Sequence, residues 1–187
     1  MPVYRPAELP EDCISNDMIT CSLYDEELKK RIASVLEQEA PISRKQLQSR
    51  VAKSAGLKIV GPRLAKHLDG LLQDMKLPVT PMDGGQDFFW KPGQNPIEYR
   101  DFRVSGTADE SKRAPEDISE IEIANAIVHI LTEQISLPDD ALRTEVRTLM
   151  GFGRLTPKIN ALLSSAILYA AEQERIQQDA AGSWILA

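Results

Sequence analysis

Cysteine is scarce in this chain, and long hydrophobic runs are missing. Its two cysteines, Cys13 and Cys21, are too few for a disulfide framework, and their spacing matches no metal or redox motif. This usage predicts a reducing, cytoplasmic compartment. The longest apolar-rich stretch, residues 161–171, contains two serines and falls short of the roughly 18 apolar residues of a membrane span. The first residues lack the apolar core of a signal peptide, so neither secretion nor a membrane partner is expected.

Residue types that bind metals or carry catalysis are also sparse. The histidines are His67 and His129, and neither has a Cys, Asp or Glu at the spacing of a metal site. The segment 151–153 contains two glycines but lacks the rest of a phosphate-binding loop, so we interpret it as a helix stop and a turn. The sequence therefore predicts a chain that is not an enzyme by itself and holds no metal or cofactor.

Net positive charge is absent as well. The 187 residues include 22 Lys and Arg against 28 Asp and Glu, which gives a net charge of −6. Phosphate binding needs a basic surface, so this balance excludes a protein that coats nucleic acid uniformly. The distribution is uneven, however. Between Ala40 and Leu68 there are seven basic residues and no acidic one, namely Arg44, Lys45, Arg50, Lys53, Lys58, Arg63 and Lys66.

The chain repeats itself at an offset of 95 residues. The matches fall on apolar positions with helical spacing and on Gly and Pro, and the register holds across three helices and their turns. Chance agreement between two amphipathic helical segments is the alternative. Matched pairs include Ile32 with Ile127, Leu36 with Leu131, Gly56 with Gly151, and Pro62 with Pro157.

Each copy has the pattern of three helices followed by a hairpin. Ser43, Ser119 and Thr156 are predicted N-caps, and Glu122 completes a capping box with Ser119. In the first copy the predicted helices are 25–39, 44–54 and one that opens at Pro62, and the hairpin pairs 77–80 with 87–90 through the turn Asp83-Gly84-Gly85. In the second copy the predicted helices are 119–134, 139–150 and 157–173, and the hairpin pairs 175–178 with 183–186.

Three helices and a two-stranded hairpin, with a helix-turn-helix in the middle, are the winged-helix arrangement. The predicted fold is therefore mainly α with small β-hairpin wings, a tandem winged helix-turn-helix. The predicted divisions are an irregular lead-in at 1–23, domain 1 at 24–91, a Pro- and Gly-containing linker at 92–117 and domain 2 at 118–187. Apolar side chains alternate within that linker, which suggests docking on a domain, at Ile97, Tyr99, Phe102 and Val104.

The helix-turn-helix of domain 1 is the candidate nucleic-acid site. Arg63, Lys66 and His67 are spaced to lie opposite the leucines of the third helix, where a recognition helix presents side chains to the major groove. Lys58 stands in the turn, and Arg44 and Lys45 would hold phosphates near a helix start. A solvated basic face without a partner is the alternative.

The third helix of domain 2 is nearly uncharged, which is typical of a helix that buries more than one face. It is the better candidate for packing on another domain or on a second copy of the chain, as a homodimer. The residues predicted for this contact are Leu162, Ser165 and Tyr169.

Several short runs resemble a domain of unknown function near the C-terminus of very large bacterial superfamily-1 helicase-type ATPases. In the first copy they are 39–42, 50–51, 56–57, 61–64 and 87–90, and in the second copy 121–126 and 150–155. The resemblance covers roughly residues 24–187. It implies a fragment of a DNA-processing enzyme whose remaining helicase-type domains are partners. It carries over no catalytic or binding residue.

The leading functional hypothesis is a non-catalytic accessory module that binds DNA weakly and without sequence preference, within a helicase- or nuclease-type protein. The alternative is a protein-interaction or dimerisation scaffold built from winged helices. A stand-alone transcription regulator is a further alternative, and an enzyme acting alone has no supporting motif.

Overall fold

The computed structural model describes residues 2–81 and 86–187. About 53% of the chain is helical, and short antiparallel strands complete a mixed α and β architecture. This agrees with the predicted dominance of helix with small sheets. The predicted turn Asp83-Gly84-Gly85 lies outside the described residues. The chain forms two compact units: a first unit of residues 5–97, and a second unit of residues 1–4 with 98–187.

The first unit runs in the order helix, strand, helix, helix, strand, strand, after a short helix near its start. Ser43 caps α3 by accepting a hydrogen bond from the backbone N–H of Gln46, and Pro62 occupies the first turn of α4. The elements are α1 (Asn16–Ile19), α2 (Asp25–Glu39), β1 (Ile42–Ser43), α3 (Arg44–Ser54), α4 (Pro62–Asp74), β2 (Val79–Thr80) and β3 (Phe88–Phe89).

The second unit has the same order of elements. Ser119 and Thr156 cap α5 and α7 as predicted. Glu122 does not complete the predicted capping box, because its carboxylate binds two arginines instead. The elements are α5 (Glu120–Gln134), β4 (Ser136–Leu137), α6 (Asp139–Leu149), α7 (Pro157–Glu172), β5 (Ile176–Gln178) and β6 (Trp184–Leu186).

Each unit has one antiparallel sheet of three strands, where the sequence predicted two. The strand orders are β1-β3-β2 and β4-β6-β5. The additional strands, β1 and β4, are two residues long and each follows the first long helix of its unit. A two-residue strand has no alternation to detect, and it is defined by its distant partner: Ile42 pairs with Phe89, and Ser136 with Ile185.

Residues 5–23 pack on the first unit and are less irregular than predicted. They include α1, and the backbone N–H groups of Asp12 and Ile14 donate to the carbonyls of Ser54 and Ala55 at 2.9 and 3.0 Å. Gly56 ends the turn after α3 with φ +78°, a left-handed conformation that glycine adopts without a steric penalty. It directly follows the C-cap Ala55, the position at which a left-handed glycine commonly ends a helix.

The second unit includes much of the stretch predicted to be a linker. Phe102 is buried in its hydrophobic core, and Val104 packs against that core, whereas Ile97 in the first unit is exposed. Residues 2–4 run parallel to this stretch: Tyr4 N–H donates to the Val104 carbonyl and Val104 N–H donates to the Pro2 carbonyl. The chain start is thereby held by the second unit.

A buried cluster of charges links residues 2–4 and the stretch that contains Phe102 and Val104 to α5. Glu122 is fully buried and receives hydrogen bonds from Arg103 and Arg113, which are 9% and 7% exposed. The ring of Tyr4 lies against both guanidiniums, whose central carbons are 5.3 and 4.5 Å from its centre. Burial by itself would raise the pKa of Glu122, but the two guanidiniums more than offset it, so the pKa lies below its ordinary value.

Candidate nucleic-acid interface

The surface formed by α3, the following turn and α4 carries four exposed lysines. They are Lys45 and Lys53 on α3, Lys58 in the turn and Lys66 on α4. None of them has a carboxylate at ion-pairing distance within residues 2–81 and 86–187. Lys45 and Lys53 are eight residues apart, so they lie on one face of their helix. We call these four residues the lysine surface.

The other three cations of the basic run are paired with acids from outside it. Arg50 binds the fully buried carboxylate of Glu39 at 3.1 Å. Arg63 binds Asp17 at 3.1 Å, although both side chains are largely exposed. In the folded unit the three arginines of the run are therefore paired with carboxylates. The positive charge that remains is carried by the four lysines of the lysine surface.

Arg44 is the most strongly paired member of the run. Its Nη1 donates to Oδ1 of Asp69 at 2.5 Å, its Nη2 donates to Asp87, and its guanidinium lies 5.2 Å from the centre of the Phe89 ring. Burial lowers the pKa of Arg44, but Asp87 and Asp69 more than compensate, so the pKa lies above its ordinary value. The guanidinium thus joins α3 to α4 and to β3.

Gln48 adds a second link between the two helices. Its Nε2 donates to Oδ1 of Asp69 at 2.8 Å and to the Ala65 carbonyl at 3.3 Å. Asp69 therefore accepts hydrogen bonds from two side chains of α3. Because one carboxylate holds both, the spacing between α3 and α4 depends on Asp69.

His67 lies on a different side of α4 from Lys66. It is only partly exposed, and its Nε2 is 2.9 Å from Oδ1 of Asp25, at the start of α2. The pair is a close contact without the alignment of a hydrogen bond. The structure therefore brings Lys45, Lys58, Arg63 and Lys66 to the unit's surface, and turns His67 and Arg44 toward carboxylates of the unit.

An open groove of about 450 Å³ runs between α3 and α4. Its walls combine an ammonium group, a hydroxyl and amide groups with the apolar side chains of Val60 and Ala65. The remaining lining residues are Arg44, Lys45, Gln48, Ser49 and Gln86. Of the two cationic side chains in this lining, Arg44 is paired with Asp69 and Asp87, and Lys45 has no carboxylate at ion-pairing distance among the described residues.

The second unit differs sharply in charge. Residues 98–187 contain 15 acidic and 9 basic residues, whereas residues 5–97 contain 13 of each. On α7, Leu162, Ser165 and Tyr169 are partly buried, and Ser165 Oγ donates to Glu120. Leu168, which the sequence reasoning did not single out, is 59% exposed on this helix. A large apolar side chain exposed on α7 is therefore a sequence neighbour of the predicted residue Tyr169.

No grouping of three or more His, Cys, Asp or Glu able to hold a metal ion occurs in the described part of the chain. Among the same residues, no helix has the length and apolar character needed to cross a membrane. No protein-family model matches this sequence, and no curated protein shows significant similarity to it. The resemblance to helicase-associated domains therefore stays a prediction.

Proposed function

We propose that the chain is a non-catalytic DNA-binding module of a larger helicase- or nuclease-type protein, built from two winged helices. The order helix, strand, helix, helix, strand, strand in both units supports this fold. In the first unit, α3, the turn and α4 form the helix-turn-helix, with α4 as the helix that faces DNA. β2 and β3 form the wing.

The lysine surface is the observation that carries the proposal. Four exposed ammonium groups lie on the helix-turn-helix of a unit that contains 13 acidic and 13 basic residues in all. Contacts of lysines with phosphates carry no sequence information, so the expected binding is weak and independent of sequence. Arg63 adds an exposed cation beside them, and Arg44 holds the two helices in place without contacting DNA.

Fluorescence anisotropy with a duplex oligonucleotide at several salt concentrations tests the proposal. Three to four phosphate contacts predict a log–log salt slope of roughly −2.7 to −3.6 and a Kd of micromolar order or weaker at physiological salt. The double variant Lys45→Gln/Lys66→Gln should flatten the slope by about 2. Lys29→Gln/Lys30→Gln on α2, with the same change of charge, should leave it unaltered. Equal slopes for the two variants would exclude the lysine surface as the DNA contact.

A protein-interaction scaffold is the second candidate function, and exposed Leu168 favours it. Leu168 is a large aliphatic side chain on a nearly uncharged helix, and a partner that covered it would remove it from contact with solvent. This function predicts a light-scattering mass of a dimer, insensitive to salt and reduced to the monomer by Leu168→Glu. A monomer with salt-dependent DNA binding supports the first candidate instead.

A further inference from the structure

Residues 5–23, the segment that packs on the first unit ahead of α2, carry an excess of negative charge. They contain four acidic residues and one basic residue. The acidic residues are Glu8, Glu11, Asp12 and Asp17, and the basic residue is Arg5. The segment belongs to the same unit as the lysine surface, so its charge acts on the proposed DNA contact.

A buried arginine anchors this segment beside the turn that follows α3. Arg31 is 2% exposed, and it donates hydrogen bonds to Asp12 of the segment and, at 3.0 Å, to Oγ of Ser54 at the end of α3. A Cβ atom on Gly56 would lie 3.0 Å from the carbonyl oxygen of Asp12. The segment therefore passes directly beside the turn, and contacts other than those of Asp17 hold it there.

Asp17, on α1, pairs with the cation at the start of α4. Nη1 of Arg63 donates to Oδ1 of Asp17 at 3.1 Å, and the two side chains are 71% and 91% exposed. An ion pair this exposed contributes little to folding stability, because water screens both charges. A phosphate that approaches the start of α4 thus meets a guanidinium whose charge is already offset by a carboxylate.

We infer that Asp17 competes with DNA phosphates for Arg63 and thereby lowers the affinity of the first unit for DNA. The inference rests on the proposed function, since it identifies a competitor within the chain at that same surface. Carboxylate and phosphate oxygens are both strong acceptors for a guanidinium. Arg63 therefore contributes its full charge to DNA binding only when its ion pair with Asp17 breaks.

Anisotropy titrations of a duplex oligonucleotide at several salt concentrations, with Asp17→Asn beside the wild type, test this inference. Release of Arg63 adds one phosphate contact, so the log–log salt slope should become more negative by about 0.9. The affinity at physiological salt should rise by about two- to fivefold, which corresponds to the strength of an exposed ion pair. Asn keeps the size of the side chain, and the exposure of Asp17 predicts an unchanged midpoint of urea denaturation.

Glu11→Gln is the matched control, because it removes the same charge from an exposed position on the same segment. It should leave the slope unaltered and raise the affinity by less than Asp17→Asn does. Arg63→Gln completes a double-mutant cycle, since it should lower the affinity more in the Asp17→Asn background than in the wild type. An Asp17→Asn effect no larger than that of Glu11→Gln, or equal in the presence and absence of Arg63, would overturn the inference.

The same titrations distinguish this inference from the proposed function. Salt-dependent binding by the wild type that Asp17→Asn does not strengthen supports the proposed function and overturns the inference. Binding detected for Asp17→Asn alone supports the inference. Absence of binding by both proteins overturns the proposed function together with the inference.

Discussion

Glu122 and Arg103 meet in a two-pronged ion pair inside the second unit. Nε of Arg103 donates to Oε1 at 2.9 Å, and Nη2 donates to Oε2 at 3.0 Å. Arg113 donates to the same two oxygens, at 3.2 and 2.7 Å. One buried carboxylate therefore neutralises part of the charge of two buried guanidiniums.

Glu122→Gln should destabilise the second unit severely. The amide keeps the shape of the side chain but removes the negative charge that binds both buried arginines, a loss of about 3–5 kcal/mol in the free energy of unfolding. Urea denaturation at pH 7 measures it. Glu133→Gln, at a carboxylate that is 69% exposed, is the control and should change stability by less than about 0.5 kcal/mol. Equal losses for the two variants would contradict the role of the cluster.

The stabilisation by Glu122 should disappear in acid. Its pKa is lower in the folded state than in the unfolded state, so the unfolded chain binds more protons and stability rises with pH. The contribution is complete above the unfolded value of about 4.3 and is lost as the pH falls through the lower folded value. Urea denaturation from pH 7 to pH 3 should therefore show the wild type losing its advantage over Glu122→Gln below about pH 4. A constant gap would contradict this linkage.

Tyr4→Ala should loosen the second unit and leave the first unchanged. Tyr4 is 1% exposed, and truncating a buried aromatic residue costs about 3–5 kcal/mol. Hydrogen exchange followed by mass spectrometry should show lost protection in α5 and around residues 98–104, with none lost in α2–α4. Val3→Ala, at a residue that is 44% exposed, is the control. Protection lost first in α2–α4 would refute the assignment of residues 2–4 to the second unit.

Substitutions of Arg44 and of its neighbour Lys45 should have different effects. The first should lower the free energy of unfolding, and the second should lower the affinity for DNA. Arg44→Gln leaves Asp69 and Asp87 uncompensated and should cost about 1 kcal/mol, since the pair is one-third exposed and partly screened. Lys45→Gln should leave stability within about 0.5 kcal/mol and lower DNA affinity. Denaturation and anisotropy on both variants provide the check. A larger loss of affinity for Arg44→Gln than for Lys45→Gln, with stability unchanged, would reverse the two roles.

Ile135→Gly should stabilise the protein. Ile135 has φ +66° and ψ −57°, a tight-turn conformation that strains a β-branched residue, and it is 78% exposed. Relief of strain should exceed the entropic cost of glycine by about 0.5–1 kcal/mol and raise Tm. Ile97→Gly, at an exposed isoleucine without positive φ, should lower Tm. A Tm lowered equally in both variants would show that Ile135 is unstrained.

Local signals explain which elements the sequence predicted correctly. Capping residues and prolines are read within one helical turn, so the predicted helix 25–39 coincides with α2, and the predicted starts at Arg44 and Pro62 are confirmed. β1 and β4 depend on partners about 50 residues away, which apolar periodicity does not register. The helix α1 was missed because four residues contain barely one turn.

Ion pairing explains why the candidate site was predicted only in part. The charge run was visible in the sequence, but Asp17, Asp69 and Asp87, which pair with its arginines, lie outside it. Asp69 stands one residue beyond the end of the run at Leu68, three positions after Lys66, so inspecting the whole of α4 would have revealed it. Asp17 and Asp87 reach the arginines only through tertiary packing.

Because Tyr4 belongs to the second unit, the first unit is an insertion within the chain of the second. We call the second unit the host and the inserted first unit the guest. The host consists of two separated pieces of chain, residues 1–4 and 98–187, so no single truncation yields it intact. A gene that lost residues 5–97 as one cassette, with residue 4 joined to residue 98 by a short glycine linker, would still encode the complete host. The reverse holds for the guest, which is one uninterrupted segment and can be exchanged among proteins without cutting its own core.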